Sequence, residues 1–443
     1  MKARFESLCQ QALEAFRQEN YPQAIALYQE ARHIQPDNPD LCNNLGNAWD
    51  LAGDPGQAVA CYHQALALDP ANTRALYNLG LTWYRQGEMH KAITSYRKAL
   101  DLDPAYYAAW YNLGMACCAT EDWDMALESL GQALALRPDE PQVHYMTGRA
   151  WQGKGDTHAA QTHFARTVAL SPDDWEAWLH LANIRKADGA VREAIQAFEQ
   201  VYRLKPGVAI LCDELGALWL DCGDPARALP YLEEARTLDP DRHETWYHLG
   251  NAHAALGDMT LAVQAFETCV ALDPTYASGW FNLAVAWERL RDHHKAVLYF
   301  GKVTALNPHD AVALYNQGSN YERMGDWQAA MPCYQRAVAA GSSDPYAYNN
   351  LGFCLIRAGR AGEALPVLEQ GLGLGLPSYI NMNIGHCYMI LRQESQALTC
   401  YRESLRHFDQ ASDFWASMED DFQYLSPAGV SQASYELILA RLR

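Results

Sequence analysis

The feature of this sequence that most limits its possible folds is an internal period of 34 residues. A Leu-Gly motif places Gly46, Gly80 and Gly114 at equal intervals, and the same register continues through most of the 443-residue chain. Twelve residues after this small residue, every unit has an alanine: Ala24, Ala58, Ala92, Ala126, Ala160, Ala194, Ala228, Ala262, Ala296, Ala330, Ala364 and Ala397. Chance does not maintain such a register, so the chain is a tandem array of one building block.

Each unit has the pattern of two helices. The first covers about unit positions 1 to 14 and the second about positions 17 to 30. A turn that usually contains glycine separates them, and a closing proline ends most units. The array covers residues 5–410, with repeats 1 to 12 beginning near residues 5, 39, 73, 107, 141, 175, 209, 243, 277, 311, 345 and 378. One unit cannot bury its own apolar face, so neighbouring units must stack.

The pattern resembles the tetratricopeptide repeat. Repeat 4, "AWYNLGMACCATEDWDMALESLGQALALRP", contains the large residue, Leu-Gly pair, alanine and closing proline of that family at the right spacing. The resemblance implies an all-α fold, a right-handed α-solenoid superhelix of about twelve helix-turn-helix repeats whose first helices line a concave groove. Two departures predict local irregularity: His144 and Thr147 occupy apolar positions in repeat 5, and repeat 11 is one residue short and ends in "GLGLGLP".

Asparagine recurs at position 6 of the first helix, away from the packing positions 4, 7, 8 and 11. The amides form an early and a late run, which comprise Asn44, Asn78, Asn112, Asn282, Asn316, Asn350 and Asn383. A carboxamide both donates and accepts hydrogen bonds, as a peptide backbone does. The runs resemble the asparagine ladder of protein O-GlcNAc transferases, which implies binding of an extended peptide. The alternative is that these amides only bond neighbouring repeats.

Two further lines of side chains accompany the amides. Position 5 is often aromatic, as in Tyr77, Tyr111, Tyr247, Phe281 and Tyr315. Position 13 carries Arg289, Arg323 and Arg357 in the late repeats. The rings offer apolar contact area to a peptide, and the guanidinium groups suit acidic side chains or a carboxylate. Intramolecular salt bridges are the alternative for the arginines.

The last segment, residues 411–443, does not follow the residue pattern of the repeats. It predicts two helices, separated by "SPAG", that form a C-terminal cap for the solenoid. The alternatives are that this tail binds a partner or folds back into the groove.

Charge and motifs exclude several classes of function. Lys and Arg number 34 against 53 Asp and Glu, and the net charge of -19 disfavours nucleic acid and anionic membranes. We expect no membrane insertion, no signal peptide and a cytoplasmic protein whose twelve cysteines are reduced. No nucleophile motif, dinucleotide loop or metal-binding spacing is present, so we expect no enzyme activity, no cofactor and no metal.

These observations predict a scaffold or adaptor that holds peptide segments of partner proteins in its concave groove. One alternative is a non-catalytic, substrate-recruiting subunit of a glycosyltransferase or another enzyme complex. A second is a scaffold for homotypic assembly, although no sequence feature specifically indicates an oligomer.

Overall fold

The computed structural model describes residues 1–443 as helices joined by short turns, without strands. The all-α repeat fold predicted from the sequence is therefore confirmed. The chain divides into two compact units, Met1–Pro206 and Gly207–Arg443. None of the helices combines the length and the hydrophobicity needed to cross a bilayer.

The first unit contains repeats 1 to 6, each built from two antiparallel helices. Its helices are α1 Lys2–Arg17, α2 Tyr21–Ile34, α3 Pro39–Leu51, α4 Pro55–Leu68, α5 Thr73–Arg85, α6 Met89–Leu102, α7 Tyr107–Ala119, α8 Trp123–Leu136, α9 Pro141–Lys154, α10 Thr157–Leu170, α11 Trp175–Ala187 and α12 Val191–Leu204. Odd-numbered helices are the first helices of the repeats, and even-numbered helices are the second.

The second unit contains repeats 7 to 12 and two further helices. Its helices are α13 Ala209–Asp221, α14 Pro225–Leu238, α15 His243–Leu256, α16 Met259–Leu272, α17 Ala277–Arg289, α18 His293–Leu306, α19 Ala311–Arg323, α20 Trp327–Ala339, α21 Pro345–Arg357, α22 Ala361–Leu372, α23 Pro377–Ile390, α24 Glu394–Arg406, α25 Ala411–Leu425 and α26 Gln432–Leu442.

The small residue of each first helix packs against a large residue of the second. A Cβ atom added to Gly80 would lie 2.6 Å from Cε1 of Tyr96, and one added to Gly46 would lie 2.7 Å from Cε1 of Tyr62. Both tyrosine side chains are fully buried. A methyl group at either glycine would therefore collide with a ring in the closely packed interior.

Aspartate begins many of the helices, which gives part of the negative charge a structural explanation. Asp54 accepts a hydrogen bond from the backbone N–H of Gln57 at 3.0 Å, and Asp156 accepts one from Ala159 at 2.9 Å. Such caps satisfy N–H groups that have no partner within the helix.

A second recurrent contact ties the start of a first helix to the turn before it. Indole Nε1 atoms at position 4 donate to the carbonyl oxygen of the proline six residues earlier, in Trp110, Trp178, Trp246 and Trp280. His144 makes the same bond, with 2.8 Å between its Nε2 and the carbonyl oxygen of Pro138. Because α9 continues without interruption through His144 and Thr147, the irregularity expected in repeat 5 is wrong.

Repeat 11 does depart from the pattern. Its second helix, α22, has 12 residues where most second helices have 14. Leu376, directly before α23, adopts the left-handed conformation with φ of 54°. A left-handed leucine is costly, because its Cβ crowds the backbone.

The C-terminal helices pack on repeats 11 and 12. Phe414 and Met418 of α25 are fully buried, and the hydroxyl of Tyr435 in α26 donates to the carbonyl oxygen of Met418. The fully buried imidazole of His386 in α23 donates from Nε2 to Asp421 of α25 at 3.0 Å. Its Nδ1 lies 2.8 Å from the hydroxyl of Tyr401. These bonds satisfy polar groups that would otherwise destabilise the interior.

Cysteines fill space in both units. All twelve are free thiols, and most are buried. Burial raises the pKa of Cys117 and of Cys354 to about 12, so these thiols stay protonated at neutral pH and react poorly.

Candidate functional site

The candidate site is the first-helix face, which we define as the residues at positions 5, 6, 9 and 13 of the first helices. In a regular array, position 5 of one repeat and position 6 of the next are 35 residues apart. Nδ2 of Asn78 donates to Oδ1 of Asn43 at 3.0 Å, and Nδ2 of Asn112 donates to the hydroxyl of Tyr77 at 2.9 Å. These early amides thus link adjacent repeats, as the alternative interpretation predicted.

Histidine continues the same links where the asparagine run is interrupted. The hydroxyl of Tyr145 lies 3.5 Å from Nε2 of His180, and Nδ1 of His248 donates to Oδ1 of Asp213 at 3.0 Å. Burial, followed by the charge of Arg149, lowers the pKa of His180, which favours its neutral form. The sequence interpretation treated these positions as a break, whereas the structure gives them the same bridging role.

One of these links contains a buried carboxylate. Asp213 is 2% exposed, and Nε of Arg242 lies 3.4 Å from its Oδ2. Burial alone would raise the pKa of Asp213, but the hydrogen bond and charge of His248 and the charge of Arg242 hold that pKa below its ordinary value. The carboxylate is therefore charged and paired at neutral pH.

In the late run, Asn282 and Asn350 also bond within the protein, but with different kinds of partner. Nδ2 of Asn282 donates to Oδ1 of Asn251 at 2.8 Å, and Nδ2 of Asn350 donates to the hydroxyl of Tyr334 at 3.3 Å. That hydroxyl in turn donates to Oε2 of Glu322 at 2.7 Å. The amides in repeats 9 and 11 are thus partly occupied.

Asn383 corrects one sequence prediction. Its side chain is buried at 4% exposure, and its Nδ2 donates to Oδ1 of Asn349 at 2.9 Å. Its Oδ1 is also buried and has no hydrogen-bond partner in the protein. The prediction that Asn383 faces an open groove is wrong, because its helix is covered on nearly all sides.

The arginines at position 13 have three different environments. Arg289 is exposed and has no acidic partner, whereas Arg323 lies 3.8 Å from Glu288 of the preceding repeat. The guanidinium of Arg357 stacks 4.5 Å from the ring of Tyr424 in α25 and 5.0 Å from that of Trp327. Arg357 is therefore held by its own chain, which corrects its prediction as a free groove residue.

The aromatic residues at position 5 form part of the wall between helices. Their rings contact other rings of the protein at centroid distances of 4.8 Å for Tyr77 with Tyr106, 6.5 Å for Tyr111 with Tyr107, 5.3 Å for Tyr247 with Tyr276, 5.4 Å for Phe281 with Phe300, and 5.8 Å for Tyr315 with Tyr334. All five are half-buried. Each ring therefore packs against other rings of the protein, and only part of its side chain is accessible to a ligand.

Two amides form no side-chain hydrogen bond in the protein, and their neighbours explain why. The residue 35 positions before Asn316 is Phe281, which has no acceptor, and the one before Asn44 is Cys9, whose thiol is a weak one. Asn44 borders a cavity of about 450 Å³ that Tyr28 and Arg17 also line.

A smaller cavity, of about 160 Å³, lies one repeat before Asn316. Asn251 and Asn282 line it together with Phe266 and Val285, and Arg289 borders it. Its lining thus combines an apolar surface, an amide pair and an unpaired cation. Among the predicted residues, Asn282 and Arg289 line this cavity, and Asn316 occupies position 6 of the next repeat; all three have unused polar groups.

These links are not visible when each position is considered separately along the chain, because each one joins two repeats. Part of the signal was present in the sequence, since the spacing of 35 residues pairs Asn43 with Asn78, Tyr77 with Asn112, and Asp213 with His248. Every one of these pairs joins a donor to an acceptor. The same spacing pairs Tyr247 with Asn282 and Tyr315 with Asn350, although the structure bonds those two amides to other partners.

Comparisons with known proteins agree on the repeat. Models described as tetratricopeptide or TPR repeats match residues 13–49, 52–107 and 84–150. The model for the C-terminal domain of cilia and flagella-associated protein 70 matches residues 144–378. No curated protein matches the sequence.

Solved structures of other repeat proteins resemble parts of the chain. PilF of Pseudomonas aeruginosa is 22% identical, with 49% of this chain and 98% of that chain covered and a TM-score of 0.43. YrrB, described as a TPR protein with an unusual peptide-binding site, is 23% identical, with coverages of 42% and 95% and a TM-score of 0.38. The anaphase-promoting complex assembly Cut9–Hcn1 is 16% identical, with coverages of 94% and 96% and a TM-score of 0.38.

The helix pairs, their small-to-large packing and the matched family models lead to one assignment. The chain belongs to the tetratricopeptide repeat family, and over residues 144–378 to the family of the C-terminal domain of cilia and flagella-associated protein 70.

Proposed function

We propose that this protein is a non-catalytic interaction scaffold that binds an extended segment of a partner protein on the first-helix face of repeats 8 to 10. The observation that carries the proposal is the presence of two unused polar groups on this face. Asn316 is half-buried and Arg289 is exposed, and neither side chain has a hydrogen-bond or ionic partner in the protein.

The amide of Asn316 suits the main chain of a peptide. It offers one acceptor and two donor hydrogens, which match the N–H and C=O groups of an extended backbone. Asn282 adds a carbonyl oxygen, because only its Nδ2 is bonded to Asn251. Two neighbouring repeats thus provide backbone contacts that do not depend on the sequence of the peptide.

Arg289 and the adjacent cavity provide selectivity. A carboxylate on the peptide would form a charge-assisted pair with the guanidinium, which is stronger than a hydrogen bond between neutral groups. The cavity of about 160 Å³, with Phe266 and Val285 in its lining, has room for a small apolar side chain. The favoured ligand is therefore an extended segment with one acidic and one small apolar residue.

Selection from a random peptide library displayed on phage tests the proposal. The intact protein should enrich peptides with this combination, and a fluorescein-labelled copy of the best peptide should bind Asn316→Ala and Arg289→Ala about tenfold more weakly, which is about 1.4 kcal/mol for each contact. Anisotropy titration measures both affinities, and thermal unfolding verifies that the variants are folded.

Asn78→Ala is the matched control, because that amide is already bonded to Asn43 in the other unit. It should leave the affinity of the peptide unchanged. The proposal fails if no peptide is enriched, or if the selected peptides bind Asn316→Ala and Arg289→Ala as tightly as the unmodified protein.

A further inference from the structure

A groove separates the second helices of repeats 2 and 3 in the first unit. We call it the second-helix groove: its walls are α4 and α6, and its floor is α5. It encloses about 940 Å³ and is lined mainly by apolar surface. Leu79 and the half-buried Trp83 form part of the floor, and Leu66 stands on the α4 wall.

Two polar residues of α6 present little polarity to this groove. The hydroxyl of Thr94 donates to the carbonyl oxygen of His90 at 2.9 Å, and that of Ser95 donates to the carbonyl oxygen of Lys91 at 2.9 Å. Both hydroxyl groups are thus bonded within their own helix. They are also small, so another helix could approach α6 closely.

Two lysines stand on the rim of the groove, although the protein as a whole is acidic. Lys91 and Lys98 are seven residues apart on α6, which places them on one side of the helix about 10.5 Å apart along its axis. Lys98 is exposed and has no ionic partner, while Lys91 is shared between Glu88 at 3.2 Å and the face of Trp83 at 4.5 Å.

Further side chains set the charge balance of the rim. His63 and His90 add two exposed imidazoles, and Asp101 is the one acid in the lining. Since Glu88 is bonded to Lys91, Lys98 is the lining lysine that has no ionic partner. On a chain with a net charge of -19, this unpaired cation beside an apolar surface is complementary to an acidic ligand.

We propose that the second-helix groove binds an acidic amphipathic helix of a partner protein. The apolar stripe of that helix would cover the half-buried Leu66 and Trp83. Acidic residues seven positions apart on its flank would meet Lys91 and Lys98. This surface is separate from the first-helix face of repeats 8 to 10, so one protein could hold two different segments.

A synthetic helical peptide tests the docking. The probe is a fluorescein-labelled peptide of about 18 residues, with leucine at intervals of three and four residues and glutamate at intervals of seven on one flank. It should bind the intact protein, and Lys98→Glu should weaken the binding about tenfold, because the substitution places like charges opposite each other. Binding should also fall as salt concentration rises.

Arg97→Glu is the matched control, since it makes the same charge change at the next exposed residue of α6, which does not line the groove. It should leave the affinity within about twofold, and thermal unfolding should show both variants folded. The proposal is overturned if the acidic peptide does not bind, if Arg97→Glu weakens binding as much as Lys98→Glu, or if a peptide with lysine in place of glutamate binds equally well. It is also overturned if sedimentation detects self-association that Lys98→Glu abolishes, because the occupant would then be a second copy of this chain.

Discussion

Asn112 and Asn316 occupy position 6 of two different repeats, the fourth and the tenth, yet the structure uses them differently. Asn112 donates to the hydroxyl of Tyr77 in the preceding repeat. Asn316 follows a repeat with Phe281 at that position, and its side chain has no partner. For this pair of amides, the presence or absence of a hydroxyl in the preceding repeat accompanies the difference. Asn282 and Asn350 also follow a tyrosine at that spacing, but they bond Asn251 and Tyr334 instead.

This difference shows that a recurrent residue cannot be assigned a role from its own position. Its role depends on what the next repeat offers, because a half-buried amide is stabilised by whichever acceptor lies within reach. The link between Asp213 and His248 is the charged form of the same contact. The following predictions test the contrast, beginning with that link.

Removing the carboxylate of Asp213 should cause the largest loss of stability. Asp213→Ala leaves His248 and Arg242 without their shared partner, and we expect a loss of about 3 kcal/mol in the free energy of unfolding. Urea unfolding followed by circular dichroism measures it. Asp241→Ala, at a carboxylate with no hydrogen bond or ion pair in the structure, is the control and should change stability by less than about 0.5 kcal/mol.

The same link should make stability depend on pH. The pKa of Asp213 is lower in the folded protein than its ordinary value, so the contribution is complete above about pH 4 and is lost as pH falls through the lower folded value. Urea midpoints measured between neutral and acidic pH should show a steeper decline for the unmodified protein than for Asp213→Asn. Parallel declines would mean that Asp213 does not contribute in this way.

The contrast between Asn112 and Asn316 predicts that removing the hydroxyl group of Tyr77 destabilises the protein. Tyr77→Phe should lower the free energy of unfolding by about 1 kcal/mol, because the Asn112 amide loses its acceptor while the ring remains. A double-mutant cycle with Asn112→Ala isolates this contact. A coupling energy near zero would show that the hydrogen bond does not stabilise the array.

The reverse substitution should have the smallest effect on stability and a clear effect on binding. Phe281→Tyr provides an acceptor 35 residues before Asn316, and we expect a gain of about 0.5 kcal/mol if the new hydroxyl is bonded. The peptide selected on repeats 8 to 10 should then bind several-fold more weakly, because the amide of Asn316 is bonded to the new hydroxyl group and no longer available to the peptide. Unchanged affinity together with increased stability would remove Asn316 from the binding surface.

Much of the fold could be predicted from the sequence because one packing solution is repeated. The period, the small residue opposite Tyr62 or Tyr96, and the closing prolines give the helix pairs directly. The hydrogen-bond partners of the amides are harder to predict, because most of them lie in a neighbouring repeat and differ from one repeat boundary to another. The stacking of Arg357 on Tyr424 could not be predicted, since it depends on where α25 places that tyrosine.

The links between repeats join only nearest neighbours, and this has a consequence for arrays that gain or lose units. Excision of repeat 9 in whole would make Tyr247 the direct predecessor of Asn316, at the spacing that now joins Tyr77 to Asn112. Gene rearrangements that change the copy number of such units therefore change which side chain precedes a given amide at the new junction, without altering a single codon on either side of it.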